Sequence, residues 1–458
     1  MKQMQVALVT WLITLSLCCA TAMAESVTLN IWGKSIAGEF NNPVLRQTHP
    51  NISWIGNDTK TFESAKDMAF QMLTQDGNFD IYSISYAYGG FEYLYQKGYC
   101  YDLSSSPEVV DVIEKMYPYL KDAVIRDNGI FGIPISTISS GWAYDMENCT
   151  AVGLTPDTIP TTYTQMLDLL KWWLDEGADL YPDYQFTLDT ENIRQYLVNN
   201  IVYEYIMYCQ QNDLVLKFDT DEFKSLLERI DRLDTDYFDE LTASATRGIA
   251  YEQISLFVLG QNYLDFTDHS VGHTIVPMPL ALTENGHPSI TADIRVFIIN
   301  PLSLHKEEAI DFLLSYLESL DELNRILLFK DCTSPIENPD YALEMAEALQ
   351  RLEEIQLLLA KEGALINELQ EERALLQLGI VQIESNKWYV SDNQIAAYQS
   401  MADRMCVRKQ NILERNSTEG VLEIRGRTLQ YIARTISLKE FVSDVDRIVY
   451  MIHAEDIE

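Results

Sequence analysis

The spacing of apolar residues near the start of the chain predicts a strand, a helix and a second strand. Residues 27–32 (VTLNIW) alternate between apolar and polar side chains and stop at Gly33, which is typical of a short strand that ends in a loop. Residues 62–74 have apolar side chains at helical spacing, and residues 79–84 (FDIYSI) form a second apolar run. This succession predicts a βαβ unit, and therefore a parallel sheet covered by helices.

Further along, the same patterns predict more strands and helices, with no linker or repeat between independent halves. Ser303 is expected to cap the helix that follows it, and both Thr162 with Gln165 and Ser391 with Gln394 have capping-box spacing. Strands are expected at 140–144, 273–278 and 294–299, and helices at 107–124, 162–176, 223–233, 306–329, 391–405 and 437–451. The parts of the fold are therefore expected to be interleaved along the chain.

Residues 341–378 are rich in Leu, Ala, Glu and Gln, and their apolar residues have the spacing of a long amphipathic helix that is interrupted near Gly363. One arrangement that fits this pattern is a dimeric coiled coil. The other is a helix or hairpin packed on its own domain. Gln356 and Gly363 interrupt the apolar positions that a two-stranded coiled coil would need, so we expect the second arrangement and a monomer.

Composition and charge exclude two classes of protein. With 47% hydrophobic and 11% aromatic residues, the chain has the composition of a folded protein and not of a disordered one. Its 69 Asp and Glu residues outnumber 33 Lys and Arg residues, for a formal net charge of -36. Because this field repels a polyanion, we expect no nucleic-acid partner.

The first 24 residues have the features of an export signal. Lys2 supplies a positive charge, residues 6–19 form an apolar run, and residues 22–24 (AMA) form a small-x-small cleavage site before Glu25. The run is short for a transmembrane helix. We therefore expect an exported protein.

Five cysteines follow the export signal, and they are scattered without any CxxC pair. An odd number requires at least one free thiol, and either one disulfide or none fits the sequence. No zinc site is suggested by this spacing. The five are Cys100, Cys149, Cys209, Cys332 and Cys406.

Two partial motifs are too incomplete to predict a cofactor or a metal, and the motif of a nucleophilic serine is absent from the sequence. Residues 33–35 (GKS) resemble the end of a phosphate-binding loop, but Thr28 occupies the place of its first glycine. His269 and His273 are four residues apart, but Gly272 and polar neighbours predict a loop in place of a metal-binding helix. No serine lies in a Gly-x-Ser-x-Gly motif. We expect no catalytic residue, cofactor or metal.

Aromatic residues at predicted strand ends are the stronger signal. Trp32 ends the first strand, Tyr86 and Tyr88 follow the second, and Trp142 and Tyr144 lie on the strand at 140–144. Ligands of open α/β sheets bind beyond the carboxyl ends of the strands, and aromatic faces with polar edges suit sugars. Core packing is the alternative for each ring. It stays open for Trp142 and Tyr144, whereas the glycine pair after Tyr88 favours a ligand loop.

The order of several short motifs resembles the extracellular solute-binding proteins of ABC importers, in the branch similar to maltose-binding protein. Each motif is short, and their order along nearly the whole chain carries the resemblance. The matching segments are 79–84 with 98–103, 141–145 with 153–156, 160–161, 276–279, 296–300 with 307–317, and 436–451.

The resemblance implies an α/β, two-lobed periplasmic-binding-protein fold with interleaved lobes and a hinge. After a signal peptide at 1–24, lobe one would comprise residues 25–140 and 272–330. Lobe two would comprise 141–271 and 331–458, with a long helical insertion at 341–380. The lobes of such proteins close on their ligand.

The resemblance also implies a set of ligand-binding residues. These are Trp32, Lys34 and Ser35 after the first strand, Ser85, Tyr86 and Tyr88 after the second, Ser139, Ser140 and Trp142 at the hinge, and Trp388 on the far wall. Binding is expected to depend on Tyr86 and Tyr88 more than on any titratable residue.

The implied function is non-enzymatic capture of a small polar solute, such as a carbohydrate, for the membrane permease of an ABC importer. The chain departs from the family where the helical insertion replaces a region in which relatives often place ligand aromatics. Two other functions remain open. The chain could be a secreted hydrolase acting on glycans, or a surface interaction protein that docks through its long helix.

The exported protein is expected to begin at Glu25, because cleavage after residues 22–24 is the favoured route. A lipid anchor on Cys18 or Cys19 is the competing route, although Leu17 stands where a small residue should precede the lipidated cysteine. Intact mass spectrometry of the exported protein separates the two routes. A species that starts at either cysteine and carries added acyl mass would contradict cleavage before Glu25.

Overall fold

The structure of the protein, a computed structural model, divides into two compact units. Unit one contains the described residues of Met1–Met116, Leu120–Ser136 and Arg295–Leu328, and unit two contains those of Tyr117–Tyr119, Thr137–Ile294 and Phe329–Glu458. The residues that the structure describes are 27–33, 45, 52–57, 65–74, 79–86, 90–186, 193–233, 254–261, 275–284, 286–288, 290–360, 366–409 and 419–455.

The described strands are β1 (Val27–Trp32), β2 (Ile52–Asn57), β3 (Ile81–Ser85), β4 (Ile125–Arg126), β5 (Gly129–Ile130), β6 (Ile133–Asp145), β7 (Tyr184–Gln185), β8 (Ile254–Ser255), β9 (Phe257–Gln261), β10 (Ile275–Pro277), β11 (Ile290–Ile299), β12 (Ile336–Glu337), β13 (Trp388–Val390) and β14 (Met405–Val407).

The described helices are α1 (Ala65–Thr74), α2 (Gly90–Gln96), α3 (Pro107–Lys115), α4 (Pro118–Val124), α5 (Met146–Ala151), α6 (Tyr163–Trp172), α7 (Ala178–Leu180), α8 (Ile193–Gln211), α9 (Asp221–Asp231), α10 (Lys306–Glu318), α11 (Glu322–Leu328), α12 (Tyr341–Leu359), α13 (Ile366–Ser385), α14 (Asp392–Ala402), α15 (Glu419–Ile432) and α16 (Leu438–Glu455). None of these helices combines the length and the apolar composition needed to cross a bilayer.

Unit one is built on a sheet in the order β2, β1, β3, β11. Strand β1 pairs in parallel with both β2 and β3, whereas the Arg295–Ile299 part of β11 pairs antiparallel with β3. Helix α10 covers one face, where Phe312 contacts Trp54 of β2 and Tyr316 contacts Phe297 of β11. The predicted βαβ unit with a parallel sheet is therefore confirmed.

A buried carboxylate ties three strands of this sheet together. Asp80, just before β3, is 5% exposed and accepts hydrogen bonds from the backbone N–H of Asn30 in β1 (2.8 Å) and from the hydroxyl of Ser303 (2.5 Å). Its backbone carbonyl accepts from the N–H of Asn300 at the end of β11 (2.9 Å). The negative charge of Asp80 adds to burial in raising the pKa of Tyr82.

Unit two is built around the second part of β6, which has β9 on one side and β10 on the other, both antiparallel. Helices α6, α8, α9, α15 and α16 contribute to a continuous apolar core with these strands. The Trp173, Phe223 and Phe441 side chains are among its buried members. Helix α8 contributes many of the buried apolar side chains, among them Leu197, Val198 and Ile201.

The predicted helix caps have different outcomes. Ser391 and Gln394 form the expected capping box at the start of α14. Thr162 caps α6, but Gln165 accepts from the N–H of Thr161 (2.8 Å) and not from that of Thr162. The predicted Ser303 cap is wrong, because α10 begins after His305 without a side-chain cap and the Ser303 hydroxyl donates to Asp80.

Other predicted boundaries need correction. The helix expected at 306–329 is two helices, α10 and α11, and β2 is not predicted by the sequence pattern. The helix expected to end at Gly177 passes through a π-helical turn and continues as α7. Glycine is needed at this turn because a Cβ atom on Gly177 would lie 2.7 Å from the Trp173 ring.

The compact units differ from the predicted lobes mainly in residues 272–294. These were expected in lobe one, but they belong to unit two, because β10 pairs with β6 and the start of β11 pairs with β14. The chain passes between the units at 116/117, 119/120, 136/137, 294/295 and 328/329.

Residues 341–385 form a helical hairpin, in which α12 ends at Leu359 and α13 begins at Ile366. The two helices pack on each other, and Arg351 of α12 donates to Glu372 of α13 (2.6 Å). The hydroxyl of Tyr341 donates to Glu384 (2.6 Å). The interruption near Gly363 is therefore confirmed, and the monomeric state stays a prediction.

Replacing Asp80 with alanine is expected to destabilise the protein by about 3–5 kcal/mol, because the change removes two hydrogen bonds to a charged acceptor and leaves buried donors unpaired. The measurement is the midpoint of urea unfolding. The matched control is Asp111→Ala in α3, where the exposed ion pair with Lys115 contributes little, within about 0.5 kcal/mol. Equal stabilities of the two variants would contradict the structural role of Asp80.

Candidate functional site

The carboxyl end of β1 lies beside the start of β3 in the unit-one sheet. Ser85, the last residue of β3, lies three residues further along, about 10 Å at the usual rise of a strand. Trp32 is the last residue of β1, is partly buried, and is the parallel neighbour of Tyr82 in β3. The two ring centroids are 6.4 Å apart, with the ring planes tilted by 42°. Gly33 follows β1 with a φ of 149°, a conformation that side-chain-bearing residues rarely adopt.

The last residue of β3, Ser85, faces a cationic residue. Its Cα partner across the antiparallel ladder is Arg295 of β11, and both residues are partly buried. Directly opposed residues of an antiparallel pair have their side chains on the same face, a few ångströms apart. Ile294 and Val296 on either side of Arg295 are buried, so the alternation of β11 places the guanidinium on the face opposite to theirs.

Tyr86, the next residue after β3, is packed within unit one. It is 6% exposed and stacks on Phe91 of α2, with ring centroids 5.5 Å apart. Its hydroxyl accepts a hydrogen bond from Arg126 (2.8 Å), and the same guanidinium contacts Glu92 (3.2 Å). Burial raises the pKa of Tyr86 and outweighs the opposing effect of Arg126. The structure thus gives the ring a packing role, and its predicted ligand contact stays a prediction.

The predicted hinge residues lie on β6 in unit two. Trp142 is 4% exposed, belongs to the apolar core of that unit, and meets the Tyr196 ring edge-to-face with centroids 5.8 Å apart. Ser139 is buried, and Ser140 is paired through its backbone with Gln261 of β9. Of the two roles left open for Trp142, the structure therefore shows core packing.

Trp388, the expected far-wall residue, lies on β13 of unit two, which pairs with β12. Its side chain is 37% exposed, and the ammonium group of Lys387 lies 5.0 Å from its ring centroid. Strands β12 and β13 form a two-stranded sheet of their own, which is separate from the sheet that contains Trp142.

The structure thus places Trp32 beside Tyr82 near the start of β3, and it places Ser85 and Tyr86 at the end of that strand, about 10 Å further along. Lys34, Ser35 and Tyr88, as well as His269 and His273, lie outside the described residues. Arg295 is the residue that sequence reasoning missed. The apolar alternation of residues 294–299 signals a strand, but only the ladder with β3 shows that Arg295 stands opposite Ser85.

The described cysteines are free thiols, so the open question of a disulfide is answered for them. Burial raises the pKa of Cys100 and of Cys149 to about 12, which keeps both thiols protonated and unreactive at neutral pH. Within the described ranges, no three His, Cys, Asp or Glu side chains gather as a metal site would require. The sheet edge offers an indole, a hydroxyl and a guanidinium, which bind polar ligands by stacking and hydrogen bonding.

No family model and no curated protein matches the sequence. Solved structures do match, along nearly the whole chain. The sugar-binding protein MalE from Xanthomonas citri has a TM-score of 0.54 and 15% identity, covering 94% of this chain and 100% of that chain. A sugar transporter from Rhizobium etli has a TM-score of 0.55 and 12% identity, covering 93% and 99%. The cyclic alpha-maltosyl-1,6-maltose binding protein from Arthrobacter globiformis has a TM-score of 0.51 and 13% identity, covering 92% and 99%.

The chain has the fold of these proteins. At such low identities the likeness establishes the architecture alone, which is the two-lobed α/β periplasmic-binding-protein fold. The fold class predicted from the sequence is therefore confirmed.

Truncation of Tyr86 to alanine is expected to lower the free energy of unfolding by about 3–5 kcal/mol, since a buried, stacked ring is lost. Tyr86→Phe keeps the ring and loses only the bond from Arg126, so about 1 kcal/mol is expected. Urea unfolding of both variants provides the measurement.

The control for this series is Tyr450→Ala, because Tyr450 in α16 is 75% exposed and its truncation should be nearly neutral. If Tyr86→Ala kept full stability but lost ligand affinity, the ring would be a ligand contact and the packing role would be wrong.

Proposed function

We propose that this protein is an exported solute-binding protein that captures a small carbohydrate and delivers it to the membrane permease of an ABC importer. The observation that carries the proposal is the fold, shared over 92–94% of the chain with proteins that are named as sugar-binding or sugar-transporting. Capture outside the membrane also agrees with the export signal expected at residues 1–24.

The sheet edge of unit one supports a carbohydrate as the ligand. Trp32 supplies a flat apolar face, on which the C–H face of a sugar ring can stack. Ser85 supplies a hydroxyl that can both donate and accept hydrogen bonds. Gly33 allows the backbone to approach a ligand closely, because it carries no side chain. Parallel strands of open α/β sheets present their ligands at this edge.

Two of the five chain crossings, at 136/137 and 294/295, support a hinge. Ser139 and Ser140, the expected hinge residues, lie three and four positions after the crossing at 136/137. Strands β6 and β11 each contain a crossing, so two of the connections are extended backbone. Short extended connections of this kind absorb domain closure by small changes in a few backbone angles.

Capture without catalysis is the proposed activity. A glycan hydrolase would need two carboxyl groups flanking the scissile bond. Glu92 and Asp80 are the described carboxylates nearest to Ser85 in the chain. Glu92 is paired with Arg126, and Asp80 accepts hydrogen bonds from Ser303 and Asn30. Neither is therefore available as a free acid–base group in the arrangement that the structure shows.

Thermal unfolding in the presence of a panel of sugars and oligosaccharides tests the proposal. A ligand present at 100 times its dissociation constant is expected to add about 2.7 kcal/mol to the free energy of unfolding. Trp32→Ala is expected to weaken binding by about 1–3 kcal/mol, because the stacked apolar face is lost. Tyr450→Ala serves as the control, with unchanged affinity expected.

Two results would contradict the proposal. Release of reducing ends from any oligosaccharide would show a hydrolase. Failure of every sugar to raise the unfolding temperature would exclude carbohydrate capture.

A further inference from the structure

Arg295 is a partly buried cation at the proposed ligand edge, and no described residue binds its guanidinium. It lies on β11 directly opposite Ser85, the last residue of β3. Neither the hydrogen bonds nor the ion pairs of the described residues include its side chain. A guanidinium has five N–H donors and no acceptor, so its partners have to be oxygens.

Other arginines that are held within the two units do have such partners. Arg126 donates to the carbonyl oxygens of Asp122 and Ile125 (2.7 Å each) and contacts Glu92 (3.2 Å). In unit two, Arg194 is bound to Asp231 (2.8 Å). Each of these guanidinium groups thus has a carboxylate partner, although the buried Nη1 of Arg194 has no described partner. Arg295 has no carboxylate partner among the described residues.

Asp293 lies close to Arg295 in the chain and Glu92 lies close to Ser85, and each is paired with another arginine. Asp293 is two residues earlier on the same face of β11, and it is bound by Arg408 (2.9 Å). Glu92 is bound by Arg126. Asp293 meets Arg408 through Oδ2, and its Oδ1 has no described partner, so each carboxylate already neutralises an arginine other than Arg295.

The carboxylate of a bound ligand would supply the acceptor oxygens that the Arg295 guanidinium lacks among the described residues. Removing a cation partly from water is unfavourable unless it gains a partner, and the planar guanidinium matches a carboxylate through two parallel N–H···O bonds. The Ser85 hydroxyl, on the same face, can donate a third bond to the same group. A neutral sugar offers only hydroxyl oxygens, which are weaker acceptors than a carboxylate.

We propose that the captured carbohydrate is an acidic sugar, a uronic acid or a short oligomer of one, whose carboxylate is bound by Arg295 and Ser85. The inference rests on the proposed function. It names the class of sugar, and it makes Arg295 the residue that determines specificity.

The test is isothermal titration of the full exported protein with matched pairs of sugars, galacturonate against galactose and glucuronate against glucose, each as the monosaccharide and as the disaccharide. The wild-type protein is expected to bind at least one acidic sugar 10-fold or more tightly than its neutral counterpart. In Arg295→Gln, affinity for that acidic sugar is expected to fall about 10- to 100-fold, which corresponds to the loss of charged hydrogen bonds. Affinity for the neutral sugars should stay within about threefold.

Arg325→Gln is the matched control, because Arg325 is an exposed arginine of unit one on α11 and the same charge is removed from the same unit. This variant should keep the preference for the acidic sugar. Arg295→Lys keeps the charge but not the two-bond geometry, so it should recover only part of the affinity. Unfolding temperatures of the unliganded variants show whether each one is folded.

The outcomes are distinguishable. Tight binding of neutral sugars without preference for the acidic ones would overturn the inference and leave the proposed function standing. A preference that survives Arg295→Gln would overturn the role of Arg295. Absence of binding to any sugar of either class would overturn the proposed function, and the inference with it.

Discussion

The carboxylate of Asp80 fixes the sheet on which the rest of unit one depends. It accepts from the backbone of β1 and from Ser303 after β11, while its own carbonyl accepts from Asn300. A carboxylate at this depth is tolerated only when its oxygens are hydrogen-bonded, so the three chain segments have to meet in one arrangement. A shift of β1 or β11 by one residue would turn their apolar side chains to the wrong face and break these bonds together.

The register set at Asp80 determines which residues meet at the other end of β3. Ser85 is five residues further along, about 16 Å at the usual rise of a strand. With Asp80 held against Asn30 and Asn300, Trp32 becomes the neighbour of Tyr82, and Arg295 becomes the partner of Ser85. The stabilising polar network therefore lies at the amino end of β3, near Trp32, whereas Ser85 and Arg295 lie outside this network at the carboxyl end.

The sequence predicts the fold well wherever a pattern is local. The alternation of residues 27–32, the capping box at Ser391 and Gln394, and the order of motifs along the chain each specify an element without reference to distant residues. Ser303 shows where prediction from a local pattern fails. Its position before a helix has the signature of a cap, yet its hydroxyl binds Asp80, which is 223 residues away in the chain. The role of Trp142 was undecidable for the same reason, since the Tyr196 ring that packs against it comes from another helix. Arg295 was missed because strand pairing, and not sequence spacing, brings it to Ser85.

The charge of the chain adds a further constraint on recognition. With a formal net charge of -36, the protein repels anions at long range, and neutral solutes feel no such effect. Screening at physiological ionic strength confines this repulsion to about 8 Å, so the field near a ligand is set by the few groups within contact distance.

In an acidic protein, a cation that is left without an internal carboxylate therefore has a strong local influence. Arg194 and Arg408 are paired with Asp231 and Asp293, so their charges are balanced within unit two. Arg295 has no such partner among the described residues, and its place opposite Ser85 puts a positive charge at the carboxyl end of β3. The same acidic composition that argues against nucleic acid thus leaves short-range recognition of a small anion physically open at this end of β3.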